Sequence, residues 1–329
     1  MQFGYPALSA LFARFAQLAL AFSIALPGTA AEGQVYPAKP VRIISPYAPG
    51  GLGDLIPRVV AYGLTESLGQ QVIVENRPGG SQIIGMQAAA KSPPDGYTVV
   101  LGSVTSLVIV PNSHKSVPYD PVTDFAPVAL CVTTPLYLVV HPSVPAHSAK
   151  DLVALARAEP GKLSFASGGP GSSNHLAGEL FKSLTGVSML HVPYKSAGPA
   201  MVDVMAGHVD LMFGAAGLQE AKMGKVRLLG VTSAKRTALA PDVPTLAESG
   251  VPGYEATIWF GLLAPGATPP AIVSRLSGEV GKVLATQRVR EQFATLEITP
   301  TSPEGFADLI KREIPKWRKV IQSAKVAVE

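Results

Sequence analysis

The sequence predicts an α/β protein of two lobes joined by a hinge, with a ligand cleft between them. Short apolar strand candidates alternate with helical patterns, which argues for βαβ units and mainly parallel sheets. The alternation runs once through each half of the chain, and two apolar segments, Phe125–Pro142 and Ile258–Ala264, fall where a chain would cross from one half to the other and back. Two such crossings form a hinge, with the cleft as the default ligand site. In the first half, strand Val41–Ser45 leads through the turn Pro46–Gly53 into a helix with Leu55, Val59 and Tyr62 on one face. Strand Val72–Glu75, a glycine-rich loop at Arg77–Ser81, a short helix near Ile84–Lys91 and strand Tyr97–Leu101 follow. The runs Ala126–Val132 and Leu136–Val140, parted by Thr133-Thr134-Pro135, read as the first crossing. The second half gives helix Ala149–Ala158, strand Leu163–Ala166, a helix from Ser172 to Leu184, strand Ser188–Val192, helix Pro199–Ala206 and strands Val209–Met212 and Arg227–Val231. Helices near Pro270–Leu284, Arg288–Ala294 and Pro303–Ser323 have too few strands to make a lobe of their own, so they belong with the first. The expected division is 36–132 plus 258–329 for lobe 1 and 136–256 for lobe 2.

Residues 1–31 read as a secretory signal peptide. No acidic residue precedes Glu32, Arg14 is the one cation, the run Phe15–Leu26 is apolar, and the small-residue stretch that follows places cleavage near Ala30 or Ala31. The run is shorter than the ~20 residues of a membrane-spanning helix. The single cysteine, Cys131, stands far from that junction and inside an apolar run. It therefore takes no lipid at a new N-terminus and forms no internal disulfide, and reads as a buried small hydrophobe. Loss of Arg14 lowers the formal charge from +4 by one, too mild a balance to imply nucleic acid. At 47% hydrophobic and 15% charged residues, the remainder can bury two cores.

Two loops have the form that binds anions in open α/β sheets, where strand-to-helix turns present unpaired N–H groups at the carboxyl ends of strands. One is Tyr47-Ala48-Pro49-Gly50-Gly51-Leu52-Gly53-Asp54, the other Ser167-Gly168-Gly169-Pro170-Gly171-Ser172-Ser173-Asn174-His175. Glycines let the backbone approach a ligand closely, and the helix dipole favours an anion; they equally suit tight turns. Asp54 fits an N-cap, with Pro57 in the first turn, or a group orienting water or a ligand hydroxyl or ammonium. Ser172 and Ser173 fit caps or ligand donors; His175 fits a neutral donor to the ligand or a histidine at the lobe interface. The sequence lacks G-x-S-x-G, G-x-x-x-x-G-K-[ST], G-x-G-x-x-G and H-E-x-x-H, and its six histidines show no metal-ligand spacing. No catalytic residue, metal or cofactor is expected. A Ser/His hydrolase built on Ser172 or Ser173 with His175 is the rival enzyme reading, and it has no third group to orient the base.

At these residues the chain resembles the Bug-type, TctC-like extracytoplasmic solute receptors of tripartite tricarboxylate transporters. The matching stretches are Tyr36-Pro37-Ala38-Lys39-Pro40 with Pro49-Gly50-Gly51 and Asp54, Glu75-Asn76-Arg77-Pro78-Gly79, Pro94-Asp95-Gly96-Tyr97-Thr98, Pro118-Tyr119-Asp120-Pro121, His175-Leu176-Ala177-Gly178-Glu179, His191-Val192-Pro193-Tyr194-Lys195, Val231–Arg236 and Trp259-Phe260-Gly261-Leu262. The resemblance implies a type II periplasmic binding protein fold, no enzymatic activity, and a periplasmic location. It further implies a small organic carboxylate as ligand and transmembrane transporter subunits as partners; we expect a monomer. By that likeness Tyr47, Ala48, Gly50, Gly51 and Asp54 face Ser167, Ser172, Ser173 and His175 across the cleft, with Ser103 also in reach. A receptor read by a membrane sensor would need the same cleft. Three places depart from the family pattern: Gly79-Gly80-Ser81-Gln82-Ile83 replaces a Gly-Ala-Gly-Gly-Asn run, Pro170 stands where Asn is common, and Gly214 where Asp usually follows the Phe. Without that acid the expected ligand is a carboxylate with an apolar or aromatic body rather than one bearing an ammonium.

Overall fold

The structure, a computed structural model, describes residues 36–324, so the signal peptide expected at 1–31 lies outside the described residues. From Lys39 onward the chain makes up one unit containing two sheets. Its elements begin with β1 (Val41–Ser45), α1 (Leu52–Leu68), β2 (Val72–Asn76), a tight turn at Gly80–Gln82, α2 (Ile83–Ala90), β3 (Thr98–Ser103), a wide helical turn at Thr105–Ile109, α3 (Val110–Ser113) and β4 (Phe125–Pro135). They continue with β5 (Tyr137–Val140), α4 (Ala149–Ala158), β6 (Ser164–Ser167), α5 (Ser173–Thr185), β7 (Leu190–Pro193), α6 (Ala197–Met205), β8 (Leu211–Gly214), α7 (Gly217–Lys222) and β9 (Arg227–Val231). The chain closes with β10 (Thr257–Pro265), α8 (Pro270–Leu284), α9 (Gln287–Gln292), β11 (Glu297–Ile298) and α10 (Pro303–Ser323).

The strands form a six-stranded sheet in the order β11-β4-β10-β3-β1-β2 and a five-stranded sheet in the order β7-β6-β8-β5-β9. Both sheets are mixed, which corrects the expectation of mainly parallel pairing. β1, β2 and β3 run parallel, as do β6, β7 and β8, but β10 pairs antiparallel with β3 and β4, and β5 antiparallel with β8 and β9. Each of the parallel strands is followed by a helix or helical turn, so their carboxyl ends carry strand-to-helix loops.

Leu136 alone separates β4 from β5, and β10 pairs with β4 from Pro265↔Phe125 to Thr257↔Pro135. The two crossing segments are thus one hydrogen-bonded ribbon, and Thr133-Thr134-Pro135 belongs to the strand rather than to a gap. At its end Thr232 accepts the Leu136 N–H on Oγ1 at 2.8 Å and donates its own N–H to Leu136 O at 2.9 Å. The Ala256 N–H reaches Thr232 O at 2.8 Å.

The apolar core runs through this ribbon. Ile44, Val100 and Leu107 under the first sheet connect through Leu136 and Trp259 to Leu138, Phe165, Leu176 and Phe181 under the second. The two cores expected from chain length are therefore fused at the crossing, with a separate cluster, including Tyr137, Val139, Met201 and Met212, on the other face of the second sheet. Cys131 is fully buried, and burial pushes its thiol up to about 12. Helix α1 buries Ile56, Val60 and Leu64, while Leu55 is 42% and Tyr62 47% exposed. Of the face read from the sequence only Val59 is buried; the apolar stripe is centred one residue beyond it, because both sets have helical spacing and only tertiary packing separates them. Arg288 stacks on the Tyr62 ring, 3.5 Å from its centroid.

Candidate functional site

The first loop is set by main-chain geometry and one carboxylate. Gly50 has φ of 100°, which a residue with a side chain rarely adopts. Gly51 is the N-cap of α1, and Asp54 is its third residue, so Asp54 does not cap as expected. Its carboxylate instead reaches back to accept the Gly50 N–H at 3.1 Å and also takes Arg58 Nε at 2.9 Å and Asn76 Nδ2 at 2.8 Å. The Arg58 bond, with those from Asn76 and Gly50, holds the Asp54 carboxyl down at about 2 against its burial. Asn76 Nδ2 also reaches Tyr47 O at 3.0 Å, so it ties both ends of the turn together. Because α1 begins at Leu52, Pro57 is its sixth residue rather than a first-turn one. The missing amide frees Gly53 O, and the Ser45 hydroxyl at the end of β1 donates to it at 2.6 Å. The Tyr47 ring lies over Gly53 so closely that a Cβ there would overlap it. The Tyr47 hydroxyl meets Ser103 Oγ at 2.8 Å, and Ser103 reaches Gln82 Oε1 at 3.2 Å. Burial raises the Tyr47 hydroxyl's pKa, against the opposing pull of those two side chains.

The second loop repeats the plan with histidines in place of the carboxylate. Ser172 is the N-cap of α5, accepting the His175 N–H at 3.3 Å and donating to Gly169 O at 2.7 Å. His175 Nδ1 accepts the Gly171 N–H at 3.1 Å, and Ser167 Oγ accepts the Gly169 N–H at 3.1 Å. Burial, with help from the Lys182 charge, lowers His175 to about 4 and keeps it neutral. Asn174 Nδ2 donates to Phe213 O at 2.5 Å, joining the start of α5 to β8.

Each set of expected residues is gathered at one strand end. Tyr47, Gly50, Asp54 and Ser103 share one network, and Ser167, Ser172 and His175 another. Ala48 and Gly51 are exposed on the first turn. Ser173, the first residue of α5, lines a crevice with Val104, the neighbour of Ser103, together with Leu136, Thr257 and Ile258 of the crossing ribbon. The carboxyl end of β3 and the start of α5 therefore meet beside the crossing. Most polar side chains in both loops are committed to protein partners. Among the described residues nothing accepts from the N–H groups of Gly51, Leu52 and Gly53, or from those of Ser173 and Asn174. What both loops leave unpaired is a set of main-chain donors at a helix start, which suits an anion.

Comparison with known proteins agrees with this plan. The family described as "Tripartite tricarboxylate transporter family receptor" matches residues 56–326. The chain belongs to that family. It is a family of solute receptors, not of enzymes. The protein BugT of Bordetella pertussis is 39% identical over 306 residues, which cover 91% of this chain and 94% of BugT. Among solved structures, the R. palustris protein Rpa4515 with adipate has a TM-score of 0.72 at 35% identity, covering 89% of this chain and 99% of that one. MatC from Rhodopseudomonas palustris with bound malate has a TM-score of 0.69 at 28% identity, covering 87% and 100%. The fold is that of the periplasmic binding proteins, as the resemblance implied.

Four residues that hold this receptor's loops were not among the expected site residues: Asn76, Gln82, Asn174 and His191. Asn76 and His191 lie inside the family-like stretches, so their signal was present; Gln82 lies in a departure from them. Gly79, Gly80, Ser81 and Gln82 all have positive φ, at 121°, 54°, 53° and 81°. Two of these left-handed residues bear side chains, each at a cost of about 1 kcal/mol. Gly214 ends β8, and a Cβ there would lie 2.7 Å from Met201 Cε, so a thioether methyl fills the space beside it.

Proposed function

We propose that this receptor works in the periplasm, delivered there by a cleaved signal peptide at 1–31. As a monomer it captures a small organic carboxylate between lobe 1 (36–132 plus 258–329) and lobe 2 (136–256), and passes it to transporter subunits in the membrane. The reading is carried by the two sets of unpaired first-turn N–H groups, one at α1 and one at α5, with their neighbouring side chains already engaged. Adipate on Rpa4515 and malate on MatC support a carboxylate as the ligand class. In this assignment Tyr47, Ala48, Gly50, Gly51, Asp54 and Ser103 form one wall and Ser167, Ser172, Ser173 and His175 the other. Asp54 and His175 hold their loops rather than touch the ligand. An apolar body fits the aromatic pair beside the first turn, Tyr47 and Phe260, whose ring centroids are 5.9 Å apart.

Thermal-shift screening against mono-, di- and tricarboxylates, adipate and malate included, tests the reading. A ligand at a hundred times its Kd stabilises the folded form by about 2.7 kcal/mol, which is about 4 °C for a chain of this size. A complete panel that leaves the melting temperature unmoved sinks the proposal.

A further inference from the structure

We propose that His191 is a positioning residue for the 167–175 loop, holding Ser167 directly and keeping its stacked neighbour His175 uncharged so that His175 can hold Gly171. This rests on reading that loop as one wall of the ligand site. His191 stands on β7, where its register partner on β6 is Phe165. Its Nε2 lies 2.6 Å from Ser167 Oγ, the atom that accepts the Gly169 N–H. Its ring lies flat on that of His175, with centroids 3.9 Å apart and planes 12° apart, and 4.9 Å from the Phe165 ring. The two amides that flank Pro170, those of Gly169 and Gly171, are therefore fixed by one imidazole pair, the first through Ser167 and the second directly.

The two rings respond differently to a proton. His175 accepts on Nδ1, so its own proton sits on Nε2, and a second can go only to Nδ1. There it would confront the Gly171 N–H and abolish the acceptor. A second proton on His191 leaves the Ser167 contact in place, because Nε2–H can donate to Oγ. His175 is thus the member whose charging frees the loop. His191 opposes that charging by covering the ring from water. Burial holds both groups down at about 4, and for His191 the His175 charge adds to it. The ionisable groups facing the pair are on α5: Glu179 Oε1, 3.8 Å from His175 Nε2, and Lys182, which engages that same oxygen at 2.7 Å. β6 contributes Phe165 and Ser167, neither ionisable in this range. Tyr194, whose N–H donates to Ser167 O, has its hydroxyl on Asp203 at 2.6 Å.

NMR on the unliganded protein tests this without any ligand, by amide exchange at Gly169 and Gly171 and by the titration of His175. His191→Ala is expected to speed exchange at both amides about tenfold, the loss of about one hydrogen bond, and to raise the midpoint of His175. Calorimetry with adipate and malate should show an affinity about tenfold lower than the parent's. A folded variant with parental exchange at both glycines and a parental His175 titration overturns the proposal. Should His191→Ala fail to fold, Ser167→Ala cuts the same link and leaves both rings; unchanged exchange at Gly169 then overturns it. If the parent binds no carboxylate, the ligand reading falls, and the exchange and titration data still judge this one.

Discussion

Asp54→Ala sets two physical effects against each other. By charge alone, deleting a carboxylate from the wall of an anion site should strengthen binding. Arg58 Nε lies 2.9 Å from that carboxylate, and its charge, left unpaired, would act the same way; loss of loop positioning acts against it. What the substitution removes is the bond to the Gly50 N–H and one of the two Asn76 bonds. Arg58 is half exposed and returns to water at little cost. At about 1 kcal/mol for each of the other two, the loop loses roughly 2 kcal/mol of pre-ordering, which the ligand must then supply. Affinity should fall about thirtyfold. Isothermal titration with the carboxylate that raises the melting temperature most would measure it, and the far-ultraviolet spectrum should stay parental. Binding that is unchanged or tighter would show that repulsion, not positioning, governs this residue, and the role assigned to Asp54 would be wrong.

Acid should loosen the protein through His175. Its folded value of about 4 lies below the ordinary 6.5, so its contribution is complete above about pH 6.5 and is lost as pH falls through 4. The loss reaches at most about 3 kcal/mol, and melting curves of the parent should show a slope in that window that His175→Asn reduces, with His191 supplying the remainder. Gly53→Ala drives a methyl into the Tyr47 ring; despite alanine's better helix propensity, denaturant melts should show a loss of about 1–3 kcal/mol. Tyr47→Phe deletes only the hydroxyl bonded to Ser103, and a change in stability beyond about 1.5 kcal/mol would exceed that bond's worth. Thr232→Val keeps the shape but strands the buried Leu136 N–H, and urea unfolding should report about 1–3 kcal/mol lost.

The elements legible in the sequence were those with strong local signals. Ala149–Ala158 follows Ser148, whose side chain accepts the Asp151 N–H, and Pro303–Ser323 follows Ser302, which does the same for Gly305. Such caps need nothing distant. Both glycine-rich turns were visible for the same reason, since a strand, a run of glycines and a helix are consecutive in the chain. Helix α7, at 6 residues, and β11, at 2, are too short to show a period. The exposed face of α1, the continuity of β4 through Pro135 and the partners of Asp54 and His175 depend on residues far away. Asn76 is 22 positions from Asp54, and His191 is 24 from Ser167. Spacing along the chain reveals a loop, but not which side chain from another strand will tether it.

The doubled connection through β4 and β10 has a mechanical consequence. Two strands laced to each other as far as Pro135 and Thr257, and pinned at Leu136 by Thr232, act like a leaf spring. Such a strip flexes readily out of its own plane but resists shear, because sliding one strand past the other would break the lacing. Opening and shutting would then follow a single arc, bringing α1 and α5 back to the same mutual alignment on every stroke.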